Sequence, residues 1–359
     1  MKLSDFLFNL PDELIAQTPS PQRGDSRLLV VDRGRKALEH RVFSDLPEIL
    51  RAGDCVVAND SKVLDGRFYG HRLLGEEMGG KVEIVILEAL ESLLQYRCLM
   101  KSSFKRTVGQ KLVLKDRLGD RLGALIAAIG DGTVDLIFDR PPFETGGWMP
   151  LPPYIRPTAE SDALARERYQ TVYADTAGSI AAPTAGLHFT PAILERLRER
   201  GVDWQTVTLH VGYGTFRPIE AEDITKHSMH EESYELSDAT AATIVRTKAA
   251  GGRCVAVGTT AARVLETVFR KQKNQDRLES GVPLALSGDR GRTRLFLYPG
   301  EKPGFGVVDA LITNFHLPGS SLFVLVCALA GTELMKAAYA EAIRARYRFY
   351  SYGDAMIIL

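Results

Sequence analysis

Lys81-Val-Glu-Ile-Val-Ile-Leu87 is one of six short β-rich runs that follow one another between Arg67 and Asp139. The others are Arg67–Leu74, Leu94–Met100, Lys111–Leu114, Gly123–Ile129 and Thr133–Phe138. They recur at roughly 8–12-residue spacing, with turn residues such as Gly79-Gly80, Gly109, Gly119 and Asp131-Gly132 between them. Short strands so punctuated, without a long helix, predict a small barrel or sandwich. The flanking sequence has a different texture, so the expected fold is mixed α/β. A large discontinuous α/β domain (residues 1–66 and 140–359) carries an inserted small six-stranded β-barrel domain (residues 67–139).

Upstream, Leu28–Val31, Ala37–Phe43 and Asp54–Ala58 read as strands. The last runs into Asn59-Asp60-Ser61-Lys62, polar residues past the carboxyl end of a strand, where α/β sheets usually bind ligands. Downstream, Leu151–Arg156 is proline-rich and reads as an extended linker, and Ser161–Gln170 as a charged helix. Trp204–Val211 alternates as a strand closed by His210 and feeds Gly212–Phe216, a loop open to close backbone approach. Ser237 caps a helix over Asp238–Ala250. Arg253–Gly258 is a buried strand, with Thr259-Thr260 capping the helix after it. Arg294–Tyr298 and Val307–Ile312 read as strands, the second ending in Thr313–Ser320, and Thr332–Tyr347 as an amphipathic helix.

The 359 residues set a prior of about two domains. Lys+Arg and Asp+Glu are both 45, so net charge points to no partner, and a nucleic-acid contact would need a local basic patch. Arg97 to Arg121 supplies one, with eight basic residues against two acidic. It is either a solvated barrel face or a phosphate-contacting surface. Cys55, Cys98, Cys254 and Cys327 are dispersed and read as reduced core residues. No apolar run is long enough to span a bilayer, so a soluble cytoplasmic protein with no membrane partner is expected.

Gly178–Pro191 (Gly-Ser-Ile-Ala-Ala-Pro-Thr-Ala-Gly-Leu-His-Phe-Thr-Pro) is short-side-chained, and Thr190-Pro191 opens a helix. His188 ahead of that terminus is either a general base kept neutral by the helix field or a turn histidine bound to a carbonyl. His227, His230 and Glu231 resemble a partial metal site, a proton-handling group in which Glu231 raises a histidine pKa, or simple surface histidines. Strand, Gly-Thr-Thr, helix at Gly258–Thr260 is either an anion site or ordinary capping.

Several motifs together resemble one family, the S-adenosylmethionine:tRNA ribosyltransferase-isomerases of queuosine biosynthesis. They are Asn59-Asp60 with Val63 and Arg67, Leu151–Ile155, Ala181-Ala-Pro-Thr-Ala-Gly-Leu-His-Phe189 and His210-Val-Gly-x-Gly-Thr-Phe216. His227-x-Met-His-x-Glu232, Val257-Gly-Thr-Thr260, Leu311–Pro318 and Tyr347–Met356 complete the set, over essentially the whole chain. Ser61, Gly66 and Ala261 depart from the family pattern, the last at an anion contact. The resemblance implies transfer of the ribosyl group of S-adenosylmethionine, as co-substrate, to the aminomethyl group of 7-aminomethyl-7-deazaguanine in tRNA. Epoxyqueuosine-tRNA is formed, and adenine and methionine are released. No metal and a monomeric protein are expected.

On this reading the catalytic candidates are His188, His210, His230 and Glu231, with His188 as the base toward the ribose C5′ hydrogen. Donor-binding candidates are Asn59, Thr184, Gly186, Thr259, Thr260, Asn314 and His316. Arg67, Lys101, Lys105 and Arg106 are candidates for tRNA contact. The competing classes are a metal-dependent hydrolase using His227, His230 and Glu231, and a non-catalytic RNA-binding protein.

Overall fold

The computed structural model describes all residues except 153, 156–158, 213–218, 277–283 and 285; of residues 145, 159–162 and 274–276 the backbone alone is described. The strands in chain order are β1 (Arg27–Asp32), β2 (Ala37–Val42), β3 (Cys55–Asn59), β4 (Ser61–Val63), β5 (Arg67–Leu74) and β6 (Glu77–Ala89). Then come β7 (Gln95–Ser102), β8 (Lys111–Lys115), β9 (Arg121–Ile129), β10 (Val134–Phe138), β11 (Thr176–Ser179) and β12 (Asp203–Leu209). The last are β13 (Glu232–Leu236), β14 (Cys254–Val257), β15 (Asp289–Thr293), β16 (Ala310–Asn314) and β17 (Ala355–Ile358).

Nine of these form one mixed sheet in the order β15-β13-β12-β3-β14-β16-β17-β1-β2. Its centre is parallel (β12, β3, β14 and β16); beyond it β13 and β15 pair antiparallel on one side, and on the other β17 is antiparallel to β16 but parallel to β1, which pairs antiparallel with β2. The period of two sends alternate residues to two cores. Cys55, Val57, Ala256 and Leu311 pack under the helix Gly258–Asp276 and the C-terminal helices. Val56, Ala58, Val255 and Ile312 pack under Phe43, Phe189 and the helix Pro191–Glu199. Thr190 caps that helix by accepting from the Ile193 N–H at 3.1 Å. Ser237 and Ser320 do the same for the helices that follow them.

The six runs from Arg67 to Phe138 close into an antiparallel barrel, β10-β7-β6-β5-β8-β9, around a core that includes Phe68, Ile84, Tyr96, Leu114 and Phe138. Mixed α/β with a six-stranded barrel is thus the architecture. All four cysteines are buried free thiols, and burial pushes Cys55 up to about 12. No single helix among the described residues is long and apolar enough to cross a membrane.

The local expectations fail at the sheet margin. Arg294–Tyr298 is not a strand; the edge strand is Asp289–Thr293, whose polar composition hides it, while Leu295 and Leu297 reach the core from irregular backbone. Its partner Glu232–Leu236 alternates buried and exposed and carries Glu232 inward. Thr259 and Thr260 do not cap a helix, because the helix already begins at Gly258, directly after β14. Of the expected Leu151–Arg156 linker, residues 153 and 156 lie outside the described residues, and of the Gly212–Phe216 loop all but Gly212 do.

Candidate active site

Because β12, β3, β14 and β16 are parallel, their carboxyl ends share one edge of the sheet. Asn59 ends β3, His210 follows β12 by one residue, Gly258–Thr260 follow β14, and Asn314 ends β16. The short 3-10 helix Thr184–His188 lies over the same edge. Between these segments is a cavity of about 230 Å³. Thr184, Thr259, Thr260, Asn314 and His316 line it, together with Ala181, Ala182, Ala185, Tyr154 and Tyr350.

Two side chains give this cavity polar capacity. Thr260 is 8% exposed and Asn314 2%, yet Thr260 Oγ1 and Asn314 Oδ1 lack a hydrogen-bond partner among the described residues. Buried polar atoms are normally satisfied, so these mark a place where a ligand completes the bonding. Thr260 lies in the first turn of a 19-residue helix, whose free N–H groups and dipole favour an anionic group there. A carboxylate at the helix start and polar groups toward Asn314 fit the residues present. His316 also borders the cavity, bonded to Thr313 Oγ1 at 2.9 Å, and burial holds its pKa down at about 3, so it is a neutral ring.

The Asn314 amide is oriented from behind. Its Nδ2 donates to the Tyr350 carbonyl at 3.0 Å and to His188 Nε2 at 3.2 Å, which leaves Oδ1 as the unused acceptor. Because Nε2 accepts, the His188 proton sits on Nδ1, 3.0 Å from Ser26 Oγ. The imidazole stacks on Phe43 with centroids 5.0 Å apart. Desolvation, joined by the field of Arg23 and Arg348 and opposed by that of Asp354, lowers its pKa to about 4. The neutral state expected for His188 is present, but burial is its main cause. The ring does not line the cavity, and both its nitrogens are engaged. Two of the expected donor-binding residues also lie off the cavity lining. Asn59 is fully buried and spends its amide on the Leu209 N–H and carbonyl and on the Ser61 N–H. Gly186 packs against Tyr173, whose hydroxyl oxygen a Cβ would meet at 2.0 Å; it is required there for close approach.

His210, His230 and Glu231 line a second cleft, of about 470 Å³, between the sheet edge and the barrel residues Glu88, Arg97, Leu99 and Thr133. Val211 borders both this cleft and the cavity. His210 Nδ1 is buried without a partner among the described residues, and burial lowers the ring's pKa against the raising influence of Asp60. Gly178 (φ +145°) makes room for the ring: a Cβ there would lie 2.6 Å from His210 Cε1. Glu231 is taken by Arg292 (2.7 Å) and Arg294 (3.4 Å). The expectation that Glu231 raises a neighbouring histidine finds the opposite at His227, which burial and the nearby His230 lower. Among the described residues no three His, Cys, Asp or Glu side chains are grouped to hold a metal ion.

Sequence reasoning missed three features. Glu232, at the base of the second cleft, accepts from the Gly212 N–H at 2.8 Å and pairs with the buried Arg263. An acid at an inward position of the alternating run Glu232-Ser-Tyr-Glu-Leu236 was the available signal. Tyr154 and Tyr350, with ring centroids 4.3 Å apart, form one wall of the cavity. Tyr350 holds φ at +72°, uncommon for an aromatic residue, with its N–H bonded to the Phe315 carbonyl. Of the expected RNA contacts, Lys101 and Arg67 line clefts at the barrel, and Arg67 also donates to the Leu151 carbonyl at 2.9 Å. Lys105 and Arg106 line none of these clefts.

The family model described as queuosine biosynthesis protein matches residues 3–358. The chain belongs to that family. A relative from Symbiobacterium thermophilum, named S-adenosylmethionine:tRNA ribosyltransferase-isomerase, is 47% identical over 100% of both chains. One of the same name from Thermotoga maritima is 44% identical, again over 100% of each. The crystal structure of the S-adenosylmethionine tRNA ribosyltransferase from Thermotoga maritima superposes with a TM-score of 0.54 and 35% identity. It covers 99% of this chain and 100% of that one. The family resemblance expected from the motifs is therefore borne out along the whole length.

Proposed function

We infer that this chain is an S-adenosylmethionine:tRNA ribosyltransferase-isomerase acting in queuosine biosynthesis. It transfers and isomerises the ribosyl group of S-adenosylmethionine onto the aminomethyl group of 7-aminomethyl-7-deazaguanine in tRNA, forming epoxyqueuosine and releasing adenine and methionine. The observation that carries this is the full-length likeness, at 47% identity, to a relative bearing that name. Neither a metal-dependent hydrolase nor a non-catalytic RNA binder is favoured by it.

In this reading the cavity takes the donor. The free N–H groups at Gly258–Thr260 and the Thr260 hydroxyl receive its carboxylate, and Asn314 Oδ1 accepts a hydrogen bond from it. His188 is a positioning residue that fixes the Asn314 amide rather than the base toward C5′. The sulfonium makes the ribose C5′ hydrogens acidic, and a neutral imidazole that reaches the donor can remove one. His210, in the cleft that joins the cavity at Val211, supplies it, its pKa lowered by burial and its Nδ1 without a partner among the described residues. His230 is left to relay protons from the incoming ammonium and toward the departing adenine. The proposal keeps the catalytic unit as residues 1–66 and 140–359 and the barrel unit as 67–139, supported by the barrel's separate core.

Incubation of the protein with S-adenosylmethionine and precursor-bearing tRNA is expected to release free adenine only when both are present. Absence of adenine with both substrates would refute the assignment.

A further inference from the structure

The outer face of the barrel carries a row of residues set side by side by the strand register. Lys101 lies beside Glu83, Glu83 beside Tyr69, Tyr69 beside Lys115, and Lys115 beside Arg121. The row crosses five strands, which is four spacings of about 4.8 Å or roughly 19 Å. Alternate residues on the same strands, among them Phe68, Ile84, Met100 and Leu114, fill the barrel core, so the row faces outward. A groove of about 850 Å³ runs along it, with Lys81 and Trp148 on its walls. Lys81, Lys101, Lys115 and Arg121 make no ion pair among the described residues, and Arg67 occupies Glu83 at 3.4 Å. The Trp148 and Tyr69 rings meet edge to face with centroids 5.3 Å apart. Unneutralised cations interleaved with aromatic rings are what a single-stranded nucleic acid needs, as phosphate contacts and as stacking platforms.

The groove also connects to the chemistry. Tyr69, Glu83 and Lys101 border both it and a cleft of about 630 Å³. Leu99 and Ile180 carry that cleft into the one lined by His210, and Val211 carries the latter into the cavity. A continuous depression therefore leads from the basic row to the sheet edge.

We propose that this face of the barrel docks a single-stranded loop of the RNA substrate, with Lys81, Lys101, Lys115 and Arg121 on its phosphates and Trp148 stacked on a base. The reading rests on the ribosyl transfer to tRNA inferred above. It selects a different surface from the Lys105–Arg106 segment, which stands off the groove.

The test compares binding of precursor-bearing tRNA across a salt series for the wild type and for a triple variant, Lys101→Gln, Lys115→Gln and Arg121→Gln. These side chains are exposed and leave the barrel core untouched. The triple variant is expected to bind tRNA about tenfold more weakly at 0.1 M salt and to lose about 2 from the log–log salt slope. Its calorimetric affinity for S-adenosylmethionine stays at the wild-type value. Neutralising Lys2, Lys36 and Arg200, exposed and outside the barrel, leaves the slope unchanged. Trp148→Ala weakens tRNA binding about tenfold without changing the slope. An unaltered slope in the triple variant, with wild-type protein still releasing adenine, overturns this docking surface alone. Failure of the wild type to release adenine from both substrates overturns the functional reading beneath it.

Discussion

At the scale of single residues, the two histidines at the sheet edge differ in what surrounds their nitrogens. His188 is saturated by Ser26 and Asn314, whereas His210 Nδ1 has no partner among the described residues. Replacing His210 with Gln should lower adenine release by about 10²- to 10⁴-fold while donor binding persists, read by single-turnover kinetics and calorimetry. Since burial depresses His210, the acid limb of the wild-type profile should fall below the ordinary histidine value of about 6.5. His188 makes a different prediction, about stability. Its folded pKa of about 4 lies below the unfolded value, so the unfolded chain binds the proton more readily. Its contribution is complete above pH ~6.5 and is lost as the pH falls toward about 4. Between pH 7 and 5 the wild type should lose about 2 kcal/mol more than His188→Gln in urea titrations. Thr260→Val should weaken S-adenosylmethionine binding about fivefold, the worth of one hydrogen bond of about 1 kcal/mol. The motif around His188 was legible as special, but its role was not. A sequence does not reveal that Ser26 and Asn314, 162 and 126 residues away, take both ring nitrogens.

Among the elements, the parallel strands were readable because doubly buried runs such as Cys55–Ala58 and Cys254–Val257 are apolar throughout. The barrel strands were readable from their spacing and turns. The edge pair β13 and β15 was not: β15 is polar throughout, β13 alternates over only five residues, and the pair is ordered by the pairing of β13 with β12. That margin is tied to the helix Gly258–Asp276 by the buried Glu232–Arg263 pair. Arg263→Met removes the buried guanidinium paired with Glu232 and should destabilise the fold by up to about 3–5 kcal/mol in equilibrium unfolding. The double replacement with Glu232→Leu should recover much of that loss. Gly178→Ala tests positioning by a strand: the added Cβ must displace the His210 ring. It should reduce kcat, leave the donor dissociation constant unchanged, and move the acid limb of the pH profile.

For the molecule as a whole, the sheet's carboxyl edge and the barrel face each other across the cleft that holds His210, His230 and Arg97. The sequence contains both units plainly, since their hydrophobic periods differ. How they meet was not legible, because that depends on side chains such as Arg97 and Thr133 opposite Val211 and Glu232, far apart in the chain. On the proposed reading one chain needs both: one unit would hold a small cationic donor at helix and strand termini, and the other would bring up a polyanion. The most direct measurement follows two isotopic labels of S-adenosylmethionine, one in the ribose carbons and one in the methyl group, into precursor-bearing tRNA. Ribose label is expected to enter the tRNA while methyl label leaves with methionine. Methyl label in the tRNA, with the ribose retained in a released nucleoside, would contradict it.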